Sequence, residues 1–202
     1  CIGVYAVRNL QRYLFEHSIE VAVKSLLIAR RCGFDRRELI NIAWGALLHD
    51  IGYVFIPEDI LNKTTPLTSE EEKILMQHPL LGYYLLRERR EFSLLCAHVA
   101  YQHHERQDGQ GYPRKLKGSN VIVTKEDAMK ETGMIHRYAN IVAVADYHDL
   151  LVSDRPYRRG IAPEKAIQKV REAAGTMLNR EAVEVFLSIF PVFPVGTRVR
   201  IT

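Results

Sequence analysis

Cysteine is scarce. Cys1, Cys32 and Cys96 are the three thiols in 202 residues. Their irregular spacing frames no disulfide scaffold, and two of them sit inside apolar helical patterns as small core residues. Long apolar runs are missing too, because polar residues interrupt every one well short of the length a bilayer requires. No charged-then-apolar leader is present. Together with the unpaired thiols this points to a reducing, cytoplasmic setting without membrane contact. The first residue is Cys1 and not methionine, so the expectation is a fragment from which an upstream segment has been removed. Repeats, low-complexity stretches and long linkers are absent. Aromatic residues do not interleave with basic ones as a single-strand-binding groove demands, which argues against a nucleic-acid polymer as partner.

What is present describes one ordinary domain spanning residues 1–202. Hydrophobic residues make up 47% and charged residues 26%, enough to bury a core without staples. The net charge of +4 is compatible with an anionic partner without requiring one. The clusters Arg87 to Arg90 and Arg155 to Arg159 have a plain reading as solvated helix faces.

Nearly every segment reads at helical period. Leu10, Leu14, His17, Val21, Ser25, Ile28 and Cys32 form one stripe. Asp35 with Glu38, and Thr68 with Glu71, are N-terminal capping pairs, and Gly52 is a helix stop. Pro79 predicts a kink or break in the helix that follows Thr68. Further helices are expected over residues 92–104 and 137–152, from Pro163 and from about Asn179. The segment between them, RQDGQGYPRKLKGSN, is a loop by its turn chemistry. Only the closing VFPVGTRVRIT alternates as a strand does. The fold expected is an all-α bundle with a short extended C-terminal tail.

The chemistry-bearing residues fall on these helices. His17 lies on the first. His49 and Asp50 end the second, giving two ligands from one helical turn. His78 lies within or just beyond the third, directly before Pro79, His103 and His104 end a later helix, and Asp146 interrupts the apolar run IVAVAD. Helical bundles build dinuclear sites from side chains on facing helices. Imidazoles with carboxylates suit divalent transition metals, iron or manganese first and nickel or zinc next, and Asp50 is placed to bridge two ions. Each histidine alone is more often a hydrogen-bonded core residue than a ligand. Asp146 is harder to explain that way, because a lone buried carboxylate costs several kcal/mol. His98 and His148 are read as turned away from the site, and Glu105 as a cap or a partner for a nearby basic side chain.

Three segments in order, HDIG, HHERQDGQGYP and VADYHDLLVSDRPYR, resemble the signatures of the HD-GYP family of metal-dependent phosphohydrolases. ILNKTTPLTSEE, HPLLGYYLL and FPVGTRVRIT resemble it as well, so the likeness runs from about His17 to the end. HDIG alone would indicate only the broader HD superfamily, whereas HHER followed by DG and GYP is specific.

The resemblance implies an HD-domain helical bundle and a cyclic di-GMP phosphodiesterase yielding pGpG, and further GMP. It implies His17, His49, Asp50 and Asp146 around one metal, and Asp50 bridging to a second held by His78, His103 and His104. The implied mechanism is two-metal hydrolysis, in which a hydroxide between the ions attacks phosphorus. Tyr112, Arg155 and Arg158 match the positions that hold the nucleotide and its phosphates, a task suited to arginine forks. Tyr112 has an equal plain reading as a turn residue packed on Pro113. GGDEF-type proteins are partners the family suggests, and the sequence leaves a homodimer open.

Two departures stand out. Tyr53 replaces the lysine that usually follows HDIG near the scissile phosphate. Loss of such a group can slow catalysis by ~10²-fold or more. Tyr13 replaces a glutamate that holds a third metal in some members, so two ions are expected. Residues 124–136 read as an insertion, a lid or a partner surface. Two other functions stay open, a cyclic di-GMP sensor or interaction module with little turnover, and a general HD nucleotide phosphohydrolase. The intact ligand set argues against the first and the GYP and RPYR segments against the second.

Overall fold

The computed structural model describes residues 10–63, 65–122, 133–154 and 159–190, with side chains from residue 14 onward. Nine α-helices and one 3-10 turn are found there, with no strand among the described residues. They are α1 (Leu10–Arg31), α2 (Arg36–Leu47), the 3-10 turn (Ile51–Phe55), α3 (Glu58–Leu61), α4 (Ser69–Leu75), α5 (His78–Arg87), α6 (Leu94–Gln102), α7 (Arg137–Val152), α8 (Pro163–Ala173) and α9 (Arg180–Ile189). The expected helical bundle is therefore present. The strand-like tail lies outside the described residues, as does most of the 124–136 segment.

Local chemistry sets the helix starts. Asp35 and Thr68 each complete a reciprocal capping box, with Glu38 and Glu71 respectively. A cap of this kind stabilises its helix by about 1 kcal/mol. Pro79 produces a break. It sits in the first turn of α5, where its missing N–H has no helical partner to lose.

Gly52 is not a helix stop. The helix has already ended at Leu47, and Gly52 lies inside the 3-10 turn against α5. A Cβ there would stand 1.9 Å from the carbonyl oxygen of His78, so only glycine lets the two backbones meet.

α7 is the central element. It packs against α1, α2, α6, α8 and α9 and buries twelve residues on every side. That explains why IVAVAD shows no apolar stripe, since a helix enclosed all round has no polar face. Ile28, Ile42, Val99, Val170 and Phe186 form one core cluster with Ile141 and Val142 of α7 itself. Each such side chain stabilises the fold by about 1.5–3 kcal/mol when fully buried. Cys96 is buried and Cys32 half-buried, both as free thiols in the apolar interior. No helix among the described residues is long and apolar enough to cross a membrane.

Candidate metal centre

The packing of α1, α2, α5, α6 and α7 brings seven side chains from distant parts of the chain to one buried place. His17 comes from α1, His78 begins α5, His103 caps the C-terminus of α6 with His104 next, and Asp146 lies on α7. His49 and Asp50 stand in the turn after α2, not on a helical turn as expected, so two adjacent side chains can face the same centre.

Asp50 is the hub, and its two oxygens face different histidines. Oδ2 lies 3.3 Å from His49 Nε2 and 3.8 Å from His17 Nε2. Oδ1 lies 3.3 Å from His78 Nε2 and 3.5 Å from His103 Nε2. Asp146 Oδ1 stands 3.1 Å from His17 Nε2 and 3.9 Å from His49 Nε2. Ligand atoms thus fall into two groups, His17–His49–Asp50 and Asp50–His78–His103–His104, each within 4.8 Å and sharing one aspartate.

The other ring nitrogens are anchored away from the centre. The Nδ1–H groups of His49, His78 and His103 donate to the carbonyls of Ala46, Leu75 and Ala100 at 2.6, 2.8 and 2.9 Å. Each carbonyl lies three residues earlier, so the local backbone fixes each ring. His17 instead donates Nδ1–H to Asp149 Oδ2 at 2.7 Å. This turns the Nε2 atoms of these four rings inward, the atoms a metal-ligating imidazole would offer.

These donors suit a cation. His78 Nε2 and His103 Nε2 face one another at 3.4 Å, an arrangement of two lone pairs that repels unless positive charge lies near. His49 Nε2 is buried and completes no hydrogen bond among the described residues. Burial works against ionising Asp50, yet His49, His103 and His78 outweigh it and hold the carboxyl well below its usual range. Burial likewise opposes a charged His17, while Asp146, Asp149 and Asp50 push it up to about 10. Without an ion, these carboxylates retain a proton on His17. Burial, with neighbouring His103 and His78, keeps His104 neutral far below its ordinary value, its lone pair available at neutral pH.

Two tyrosines wall the centre. Tyr53, expected at the scissile phosphate in place of lysine, lays its ring 4.1 Å from that of His78. Tyr112 stacks on His104 at 4.7 Å. Its loop is folded tightly back, with Tyr112 N–H donating to the His104 carbonyl at 3.2 Å. Glu105 shapes the same loop. It accepts the backbone N–H groups of Arg114 and Leu116 at 2.7 and 2.8 Å, where a cap or a basic side-chain partner was expected.

His98 and His148 stand outside the cluster as expected. One stacks with His136 and the other packs against Phe186 and Phe190. Arg155 and Arg158 lie outside the described residues, as does the side chain of Tyr13. Arg87 to Arg90 are exposed, in keeping with a solvated face.

Sequence reasoning passed over Asp149 and Lys24. Asp149 lies three residues after Asp146, and Lys24 seven after His17, so helical spacing puts each on the face of a named ligand. That spacing was the available signal.

The family model described as HD domain matches residues 8–181. Over 200 residues the chain is 30% identical to a cyclic di-GMP phosphodiesterase of Pseudomonas aeruginosa, covering 99% of this chain and 45% of that protein. It is 37% identical over 174 residues to a cyclic di-GMP phosphodiesterase of Thermotoga maritima, covering 86% and 44%. The chain thus spans less than half the length of these relatives. In fold it is similar to an HDG"Y"P protein from Bdellovibrio bacteriovorus, with a TM-score of 0.67 at 20% identity, over 91% of this chain and 54% of that one. The chain belongs to the HD domain family, and its HDIG, HHER and GYP segments make it one of the HD-GYP kind.

Proposed function

We propose that this chain is the catalytic domain of a metal-dependent phosphodiesterase that opens cyclic di-GMP to pGpG and can continue to GMP. The observation that carries this reading is Asp50, whose two oxygens each face a separate histidine pair. A carboxylate so placed suits a bridge between two ions.

The residues fit such a centre. His17, His49, Asp50 and Asp146 would hold one divalent ion, and Asp50, His78, His103 and His104 the other. Iron or manganese match these donors best, with nickel or zinc next. Ions held there supply Lewis acidity toward phosphoryl oxygens and lower the pKa of water. The protein's own part is geometry. Backbone carbonyls fix the rings of His49, His78 and His103, and Tyr53 and Tyr112 pack against the side bearing His78 and His104. Arg155 and Arg158, by their match to the family motif, are assigned to the substrate phosphates, and Tyr112 to the nucleotide. Residues 1–202 are read as one domain of a longer protein acting in the cytoplasm. GGDEF-type proteins and a second copy of the chain are its candidate protein partners.

Tyr53 supports a second reading, a cyclic di-GMP sensor with little turnover, because an aromatic ring on His78 takes the sequence position of a lysine donor. One assay separates them. The protein, loaded with Mn²⁺ or Fe²⁺, is incubated with cyclic di-GMP and products are resolved by chromatography. Turnover to pGpG is expected. Binding without turnover supports the sensor, and cleavage of simple phosphodiesters with none of cyclic di-GMP leaves a general phosphohydrolase. Replacing Arg155 and Arg158 together with alanine should weaken cyclic di-GMP binding by several kcal/mol, at roughly 1.5–3 kcal/mol per charge-assisted hydrogen bond, and leave metal content unchanged.

A further inference from the structure

Asp149 is buried and accepts hydrogen bonds from three side chains. Its Oδ2 accepts from His17 Nδ1 at 2.7 Å and from Ser153 Oγ at 3.0 Å. Its Oδ1 accepts from Lys24 Nζ at 3.0 Å, and Lys24 in turn reaches Glu20 at 2.7 Å near the surface. The lysine is itself buried, so it neutralises a carboxylate that would otherwise be costly to enclose. The result is a chain of charges from the surface of α1, through α7, to the back of a candidate metal ligand.

His17 differs here from the three rings held by backbone carbonyls. A carboxylate behind an imidazole fixes the ring and raises its basicity more than a neutral carbonyl does. The two candidate positions also differ in charge. Asp50 is shared, but Asp146 Oδ1 lies 3.1 and 3.9 Å from His17 and His49, while among the described residues the other group adds three imidazoles, His78, His103 and His104, and no second carboxylate.

We propose that Asp149, clamped by Lys24 and Ser153, is a positioning residue that holds His17 with Nε2 directed at Asp146 and Asp50, making the His17–His49–Asp50–Asp146 position the tighter of two. This rests on the reading of the cluster as a two-ion centre.

Asp149→Asn is the informative variant. Its amide has one acceptor where the carboxylate has two. If the amide oxygen faces His17, its NH₂ confronts the Lys24 ammonium, donor against donor. If the oxygen faces Lys24, the NH₂ faces His17, whose proton must then move to Nε2, the atom that should ligate.

Mn²⁺ binding is followed by the electron paramagnetic resonance of the free ion, with thermal unfolding of the metal-free protein alongside. The parent should bind two Mn²⁺ in steps of unequal affinity. Asp149→Asn should weaken the tight step by roughly 10- to 100-fold, with a much smaller change in the weak step. Ser153→Ala, which removes one donor to Asp149, should move the tight step the same way by less. An ion pair serving only the fold would alter unfolding while leaving the two steps in their original ratio. Asp149→Asn with the parent's isotherm overturns the proposal. Should that variant not fold, an unchanged tight step in Ser153→Ala overturns it equally. A parent that binds no Mn²⁺ overturns the two-ion reading itself and this proposal with it.

Discussion

The ring of Tyr53 lies 4.1 Å from the ring of His78, tilted by 30°, so the tyrosine packs on a histidine of the cluster. If the lysine usual at this position supplies charge near the phosphate, Tyr53→Lys should raise turnover of cyclic di-GMP, by up to the ~10²-fold associated with an electrostatic group, with metal content unchanged. Steady-state rates and elemental analysis of the two proteins check this. Equal or lower activity with metal intact refutes that account of Tyr53.

Asp50 faces both histidine pairs, so its charge serves both positions. Asp50→Asn should therefore lose both ions, with affinities falling by more than the roughly 100-fold typical of losing an outer partner. His78→Ala should weaken one ion and spare the other. Metal-to-protein ratios after gel filtration, measured by elemental analysis, distinguish the two patterns. Equal losses in both variants would contradict the shared role of Asp50.

Gly52 meets backbone and not flexible side chains. An added Cβ would lie 1.9 Å from the His78 carbonyl oxygen and 2.8 Å from Gly82 N. Gly52→Ala should push α5 away from the 3-10 turn and destabilise the fold by about 2–4 kcal/mol. The midpoint of urea unfolding reads this directly, and His78 should leave its place near Asp50 in a crystal structure of the variant. An unshifted midpoint would mean that the two backbones separate at no cost.

Acid should loosen the start of α7. His136 caps that helix, its Nδ1 accepting the Tyr138 N–H at 3.2 Å. Burial, with His98 and Arg137 nearby, lowers its pKa to about 4. An unfolded histidine titrates near 6.5, so between those values the unfolded chain binds the proton and the folded one does not. His136's contribution is therefore whole above about pH 6.5 and declines as pH falls toward 4. Burial also lowers His148 to about 4, so it adds to the same decline. Stability by urea unfolding should drop by about 1 kcal/mol or more from pH 7.5 to pH 5. His136→Asn, which retains a capping acceptor without a titrating ring, should show a shallower slope. Identical slopes would remove His136 from the effect.

The sequence by itself determined the helices and the residue types of the site. Capping pairs at Asp35–Glu38 and Thr68–Glu71, and the break at Pro79, act within one turn of chain, and local hydrogen bonding is visible in local sequence. His49, His78 and His103 belong here too, because the carbonyl that orients each ring lies three residues earlier. Tertiary structure decided what depends on pairs far apart in the chain. It placed Asp149 behind His17 across 132 residues, a partnership no local spacing encodes. It turned Gly52 from an apparent helix stop into a contact with α5, because the steric demand comes from His78 and not from the helix before it. It set Tyr53 against a ring, where the motif alone gave only a missing lysine. And it gave Asp50 two faces, since the direction of each carboxylate oxygen is fixed by four imidazoles converging from α1, the turn after α2, α5 and α6.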